Sequence, residues 1–125
     1  MSIQYSIVPS ELQVRVAGEG RVTMPEMIGV VDRIACDPRF RSEFTVIFDI
    51  READYTAEIE DGNEFVAALD RRESAFQKRF ALVVSESLQP LATLFCLLAH
   101  AKGIHRIKSF TGVQEACDWV RESGS

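Results

Sequence analysis

Phe44-Thr45-Val46-Ile47-Phe48-Asp49-Ile50-Arg51 is a run of β-branched and aromatic residues that ends in a carboxylate and a guanidinium. It is too short for a typical helix and reads as a strand buried on both faces. In open α/β folds, ligand and partner sites collect where such strands leave the sheet. The polar segment from Asp49 to Asp54 is therefore the first place to look for a site.

Upstream of this run, Ile3, Tyr5 and Ile7 alternate with Gln4 and Ser6, and Leu12, Val14 and Val16 alternate with Gln13 and Arg15. Two alternating runs around Pro9-Ser10 predict an antiparallel hairpin with one wet face, ended by Gly18-Glu19-Gly20. Thr23-Met24-Pro25-Glu26 is a capping box with proline in the first turn, and Asp37-Pro38 stops the helix it opens. Downstream, Asp61 is a plausible cap for a second helix marked by Phe65, Leu69 and Phe76. Phe80 to Val84 is a further buried strand, and Ser87 caps a third helix, Leu88 to Lys102, ended by Gly103. A last strand, Ile104 to Phe110, leads to a second capping box at Thr111-Gly112-Val113-Gln114. A final helix follows, lined by Val113, Ala116, Cys117 and Val120.

Single strands alternating with helices imply parallel pairing with right-handed crossovers. Gln13, Arg15, Arg106 and Lys108 give one sheet face a wet border, whereas Phe44, Val46, Phe48, Phe80, Leu82 and Val84 make the other face wholly apolar. The predicted fold is an α/β one-sided superhelix. It has a five-stranded mixed sheet in sequential order, an N-terminal antiparallel hairpin followed by parallel strands, and four helices on one side. A doubly wound sheet is the alternative.

A chain of 125 residues reads as a single domain, 1–125. At that size about two-thirds of the unfolded surface can be buried, so neither disulfides nor metal are needed to fold. The net charge of −5, with basic residues scattered among acids, argues against nucleic-acid binding. Cys36, Cys96 and Cys117 are odd in number and widely spaced, which reads as reduced thiols in the cytoplasm. No signal peptide is evident, and the apolar stretch from Leu91 to Ala101 is too short to span a bilayer. Residues 121–125 read as a frayed end.

Asp49 and Arg51 are candidates to anchor a ligand or partner beside the helix N-termini. The plainer reading is a loop-ordering carboxylate with a surface arginine. Ser85, Glu86 and Ser87 end the next strand, where backbone N–H groups can hold an anion, although a capping role for Ser87 explains them as well. His100 and His105 have no partners at metal-ligand spacing, and neither serine sits in a nucleophile motif. No glycine-rich nucleotide fingerprint occurs, so no cofactor is expected. The third helix, with Leu91, Leu94, Phe95, Leu97, Leu98 and Ala101, is apolar over more than one face. That suits deep burial, a homodimer interface or an apolar ligand.

Several segments together resemble a known family. They are the hairpin, the Gly18…Arg21-Val22-Thr23 helix entry, the Asp37-Pro38-Arg39-Phe40 exit, the Phe48-Asp49-Ile50-Arg51 and Val83-Val84-Ser85 strand ends, and the closing Phe110…Glu115-Ala116…Trp119. They look like the SpoIIAA-like proteins of bacteria, small relatives of the STAS domain sometimes grouped with Sec14-type lipid-binding domains. The resemblance implies the same superhelix and a non-enzymatic role, either regulation through a protein partner or, as the alternative, binding of a small apolar ligand or lipid. It also implies a regulatory serine in an Asp-Ser-x-Gly pattern at the start of the second core helix. That pattern is absent from residues 49–62, where Thr56 is the nearest hydroxyl of similar type and a weak candidate for modification.

Overall fold

The structure, a computed structural model, describes residues 2–56 and 58–122. Its elements are β1 (Ile3–Val8), β2 (Gln13–Arg21), α1 (Met24–Cys36), β3 (Thr45–Asp54), α2 (Ile59–Arg71), β4 (Phe80–Val83), α3 (Gln89–Ala101), β5 (Ile107–Phe110) and α4 (Val113–Glu122). The strands lie in the order β1-β2-β3-β4-β5. The first pair is antiparallel and the rest are parallel, as the hairpin and crossover pattern predicts. Phe48, at the centre of β3, is fully buried and meets the rings of Phe65 and Phe80 at 5.7 and 5.8 Å.

Two of the predicted helix signals form as read. Glu26 N–H donates to Thr23 Oγ1 at 3.3 Å, and Thr23 N–H donates to Glu26 Oε1 at 3.0 Å, closing the capping box. At the end of α3, Gly103 takes φ +89°. The N–H groups of Gly103 and Ile104 donate to the carbonyls of His100 and Ala99, the paired bonds that seal a helix on a left-handed glycine.

Other expectations shift. The glycines do not end the hairpin: β2 runs on to Arg21 through a register shift between Ala17 and Glu19, with Gly20 at φ +68° taking a conformation that side chains resist. Asp61 is not the cap of α2 but lies in its first turn, where it accepts the Glu58 N–H at 3.1 Å, and Phe76 falls beyond the helix end. Ser87 does not cap α3. It sits inside a short 3-10 turn, Glu86–Leu88, that leads into the helix without a side-chain cap. Helix α4 starts at Val113, and Gln114 donates to Asp118 at 3.0 Å, one turn on, instead of closing a box on Thr111. The last strand is shorter than expected, beginning at Ile107. Of the predicted frayed end, Arg121 and Glu122 are helical, and 123–125 lie outside the described residues.

The one-sided winding holds for α1, α2 and α3, which share one core with Val14, Val16, Val46, Phe48, Phe80 and Leu82. Helix α4 is the exception. Its Ala116, Cys117 and Val120 cover Ile47, Ala81, Val83 and Phe110 on the opposite face. Arg79 fastens it there, donating from Nη1 to the Trp119 carbonyl at 2.7 Å with its guanidinium 4.7 Å above the indole. The reason is local: β3 and β4 are apolar on both faces, so the second face must also be covered, whereas β1 and β2 leave theirs largely wet, except at Gln13, which is buried and accepts from Arg15 Nε at 2.6 Å.

Candidate functional site at the carboxyl rim of the sheet

β3 and β4 both end at the rim where α1, α2 and α3 begin. Beneath that rim, Ile50 and Leu82 from the strands and Val84 just past β4 meet Met24 and Met27 of α1, Phe65 of α2 and Leu91, Ala92 and Phe95 of α3 around a crevice. Met24 and Met27 share one face of α1 because residues three apart in a helix are neighbours. Leu88 and Leu91 are half-buried, and together with Tyr55 they form lips rather than floor. The cavity is about 20 Å³. That is room for roughly one or two waters, far from the roughly 300–1,000 Å³ of a preformed small-molecule pocket.

Tyr55 is the one lining residue that carries a hydroxyl. Its hydroxyl donates to Asp61 Oδ2 at 2.7 Å, and burial together with the Asp61 carboxylate raises its pKa, so it stays a neutral donor. Tyr55 and Met24 also border a more polar groove that continues along the rim past Arg21, Thr23, Asp54 and Thr56. The rim therefore presents an apolar notch beside a strip of hydroxyls and charges. Cys96 lies on α3, where burial pushes its thiol up to about 11 and keeps it a packing residue.

A solved structure has the same architecture: an uncharacterised protein of the DUF3478 family with a SpoIIAA-like fold, from Shewanella loihica PV-4. The likeness covers 95% of this chain and 94% of that one, with 21% sequence identity and a TM-score of 0.61. This chain has a SpoIIAA-like fold. No family model matches the sequence, and no curated protein does. At that identity the likeness speaks for the fold alone.

Within the SpoIIAA-like fold the residues singled out from sequence divide between two faces. Ile50 points into the crevice, so its neighbours Asp49 and Arg51 point the other way. Asp49 borders a groove on the wet face with Ser2, Gln4, Gly18, Glu19 and Glu52. Its carboxylate is taken by Arg51, which donates from Nε at 3.0 Å, Nη2 at 2.8 Å and its own backbone N–H at 3.1 Å. The same two-residue geometry recurs at Asp37 and Arg39, so it is a local way of ordering the chain. Ser85 and Ser87 do lie beside the rim, their hydroxyls 3.2 Å apart, with Glu86 exposed between them. Thr56 is exposed on the adjoining strip.

His100 and His105 lie elsewhere, with rings 5.6 Å apart beside β5. Among the described residues no group of three or more His, Cys, Asp or Glu can hold a metal ion, and no helix is long and apolar enough to cross a membrane. The sequence singled out Leu91 and Phe95 as part of an apolar helix that could face a ligand, but it did not join them to Met24 and Ile50, which belong to separate elements. The usable signal was Ile50 itself, an apolar residue between two charged ones on a strand.

Proposed function

We propose that this chain is a non-catalytic, cytoplasmic interaction domain, and that its protein partner docks on the carboxyl rim by seating one apolar side chain in the notch beneath Tyr55, Leu88 and Leu91. The observation that carries the reading is the pairing of a tight apolar notch with a polar strip along one edge. A buried apolar anchor surrounded by polar contacts is the usual energetic layout of a protein interface. Ser85, Glu86, Ser87 and Thr56 supply the polar surround, and Thr56 or Ser85 would be the hydroxyls through which modification weakened docking. Asp49 and Arg51 stiffen the same end of β3 from its far side.

The test is quantitative capture from an extract of the source cell, comparing the wild-type chain with Leu91→Asp. Leu91 is half-buried in the first turn of α3, where an acid suits the helix dipole; because it also packs on the core, circular dichroism checks that the variant keeps its fold. Loss of the wild-type partner from the variant supports the rim. Equal recovery removes it.

The almost wholly apolar lining favours a second reading, a small apolar ligand or lipid of the Sec14-like kind. That reading requires α3 to swing from α2, because the cavity is too small as it stands. Native mass spectrometry after offering lipid extracts decides it: a bare chain mass counts against a ligand. A homodimer through α3 is a third possibility, and it would use Leu97, which is 57% exposed on the outer side of that helix.

A further inference from the structure

β5 is the outer strand of the sheet beside α3 and α4, and a groove runs along its free edge. The ladder to β4 uses the carbonyls of Arg106 and Phe110, which accept from Phe80 and Val84 N–H at 2.8 Å each. Because a parallel ladder alternates, the backbone groups of Ile107 and Ser109 point away from β4 into this groove. One of them is already engaged: His100 Nε2 is 3.2 Å from the Ile107 carbonyl, and since a carbonyl only accepts, Nε2 carries the proton. The N–H of Ile107 and both groups of Ser109 remain for an added strand.

The walls have a definite chemistry. Leu97, 57% exposed, and the half-buried Trp119 supply apolar contact from α3 and α4. Lys108, His100 and His105 line the groove and no acidic residue does among those described, in a chain where 19 acids outnumber 14 Lys and Arg. Gln89 also lines the groove at the α3 end, its Oε1 buried without a hydrogen-bond partner. We propose that this edge is a docking groove for an extended acidic segment of a partner protein, which adds a strand beside β5, sets a carboxylate against Lys108 and His105, and lays an apolar side chain on Leu97. Strand addition at an exposed sheet edge is a general mode of peptide recognition, with main-chain bonds giving affinity and side chains giving selectivity. In a symmetric pairing of β5 with the β5 of a second copy the Lys108 side chains would be brought together, so the lining favours an acidic occupant over a second copy. This surface is separate from the carboxyl rim and does not depend on it.

Trp119 is the only tryptophan, so its fluorescence reports on this groove directly. The experiment titrates the whole chain with a synthetic peptide of alternating valine and glutamate, and with a valine–lysine peptide as control. The expected result is a saturable change with the acidic peptide alone, weakened roughly tenfold or more by Lys108→Glu and by Ser109→Pro. Proline at 109 deletes an N–H that the β4 ladder does not use, so the edge strand tolerates it. Circular dichroism checks both folds, and Lys108→Glu, at an exposed position, decides the outcome if the proline variant does not fold. No saturable change, equal response to both peptides, or unaltered binding by the folded variants overturns the proposal. So does sedimentation showing that the free chain already pairs with itself through this edge.

Discussion

The crevice and the wet-face groove lie back to back, separated by the thickness of β3. Ile50 floors the first; Asp49 and Glu52 border the second. Strand alternation sends Asp49 and Ile50 to opposite faces, and the extra residue in β3 between Asp49 and Glu52 returns Glu52 to the side of Asp49, so one strand makes an apolar notch and an acidic trough within a few residues. The contrast teaches that charge at a strand end does not by itself mark the site. Asp49 and Arg51 satisfy each other, whereas the notch offers apolar surface that the chain itself leaves partly uncovered.

Three substitutions and a pH series sharpen this contrast. The largest effect belongs to Ile50→Ala, which opens a cavity under the rim and is expected to cost about 2–5 kcal/mol in urea unfolding. Gly62→Ala comes next. A Cβ there would meet Phe95 Cδ1 at 2.5 Å, where α2 and α3 touch behind the notch. The strain of such overpacking is about 1–3 kcal/mol, read as a lower urea midpoint at unchanged slope; an unaltered midpoint would mean α3 already gives way. Smaller again is Asp49→Asn, since the pair with Arg51 is partly solvated, with side chains 22% and 37% exposed. Its expected cost is about 1 kcal/mol or less, and a loss matching that of Ile50→Ala would reverse the ranking of the two faces.

The pH response isolates the second Asp-x-Arg pair. Hydrogen bonds from Arg39 and Tyr5 hold the Asp37 carboxyl well below the usual carboxylate range. A depressed folded value means that its stabilisation is present above the unfolded value of about 4 and is lost as pH falls below it. Urea midpoints between pH 7 and pH 3 should therefore fall less steeply in Asp37→Asn than in the wild type, and parallel curves would show that Asp37 contributes nothing.

Much of the fold is written locally in the chain. The alternation of Ile3, Tyr5 and Ile7, the Thr23–Glu26 box and the Gly103 stop each arise from residues near one another, so they can be read without tertiary knowledge. The side taken by α4 is not local. The hairpin's wet face was extended across the whole sheet, although Ile47, Ala81 and Val83 already announced a second apolar face in need of cover. The crevice was hidden for a related reason: its lining converges from distant elements, and only the sheet order brings Met24, Ile50 and Leu91 together. Asp49 was legible as a polar strand end on the wetter face, and its plainer reading as a chain-ordering carboxylate fits the way Arg51 takes both of its oxygens.

The most direct test of the rim is to measure the captured partner's affinity for Leu91→Asp and Glu52→Lys side by side, one variant on each side of β3. Docking in the notch predicts a loss of roughly thirtyfold or more for Leu91→Asp, the size of a truncated interface anchor, with Glu52→Lys close to wild type. A large loss for Glu52→Lys with Leu91→Asp unaffected would contradict it and move the partner to the wet face.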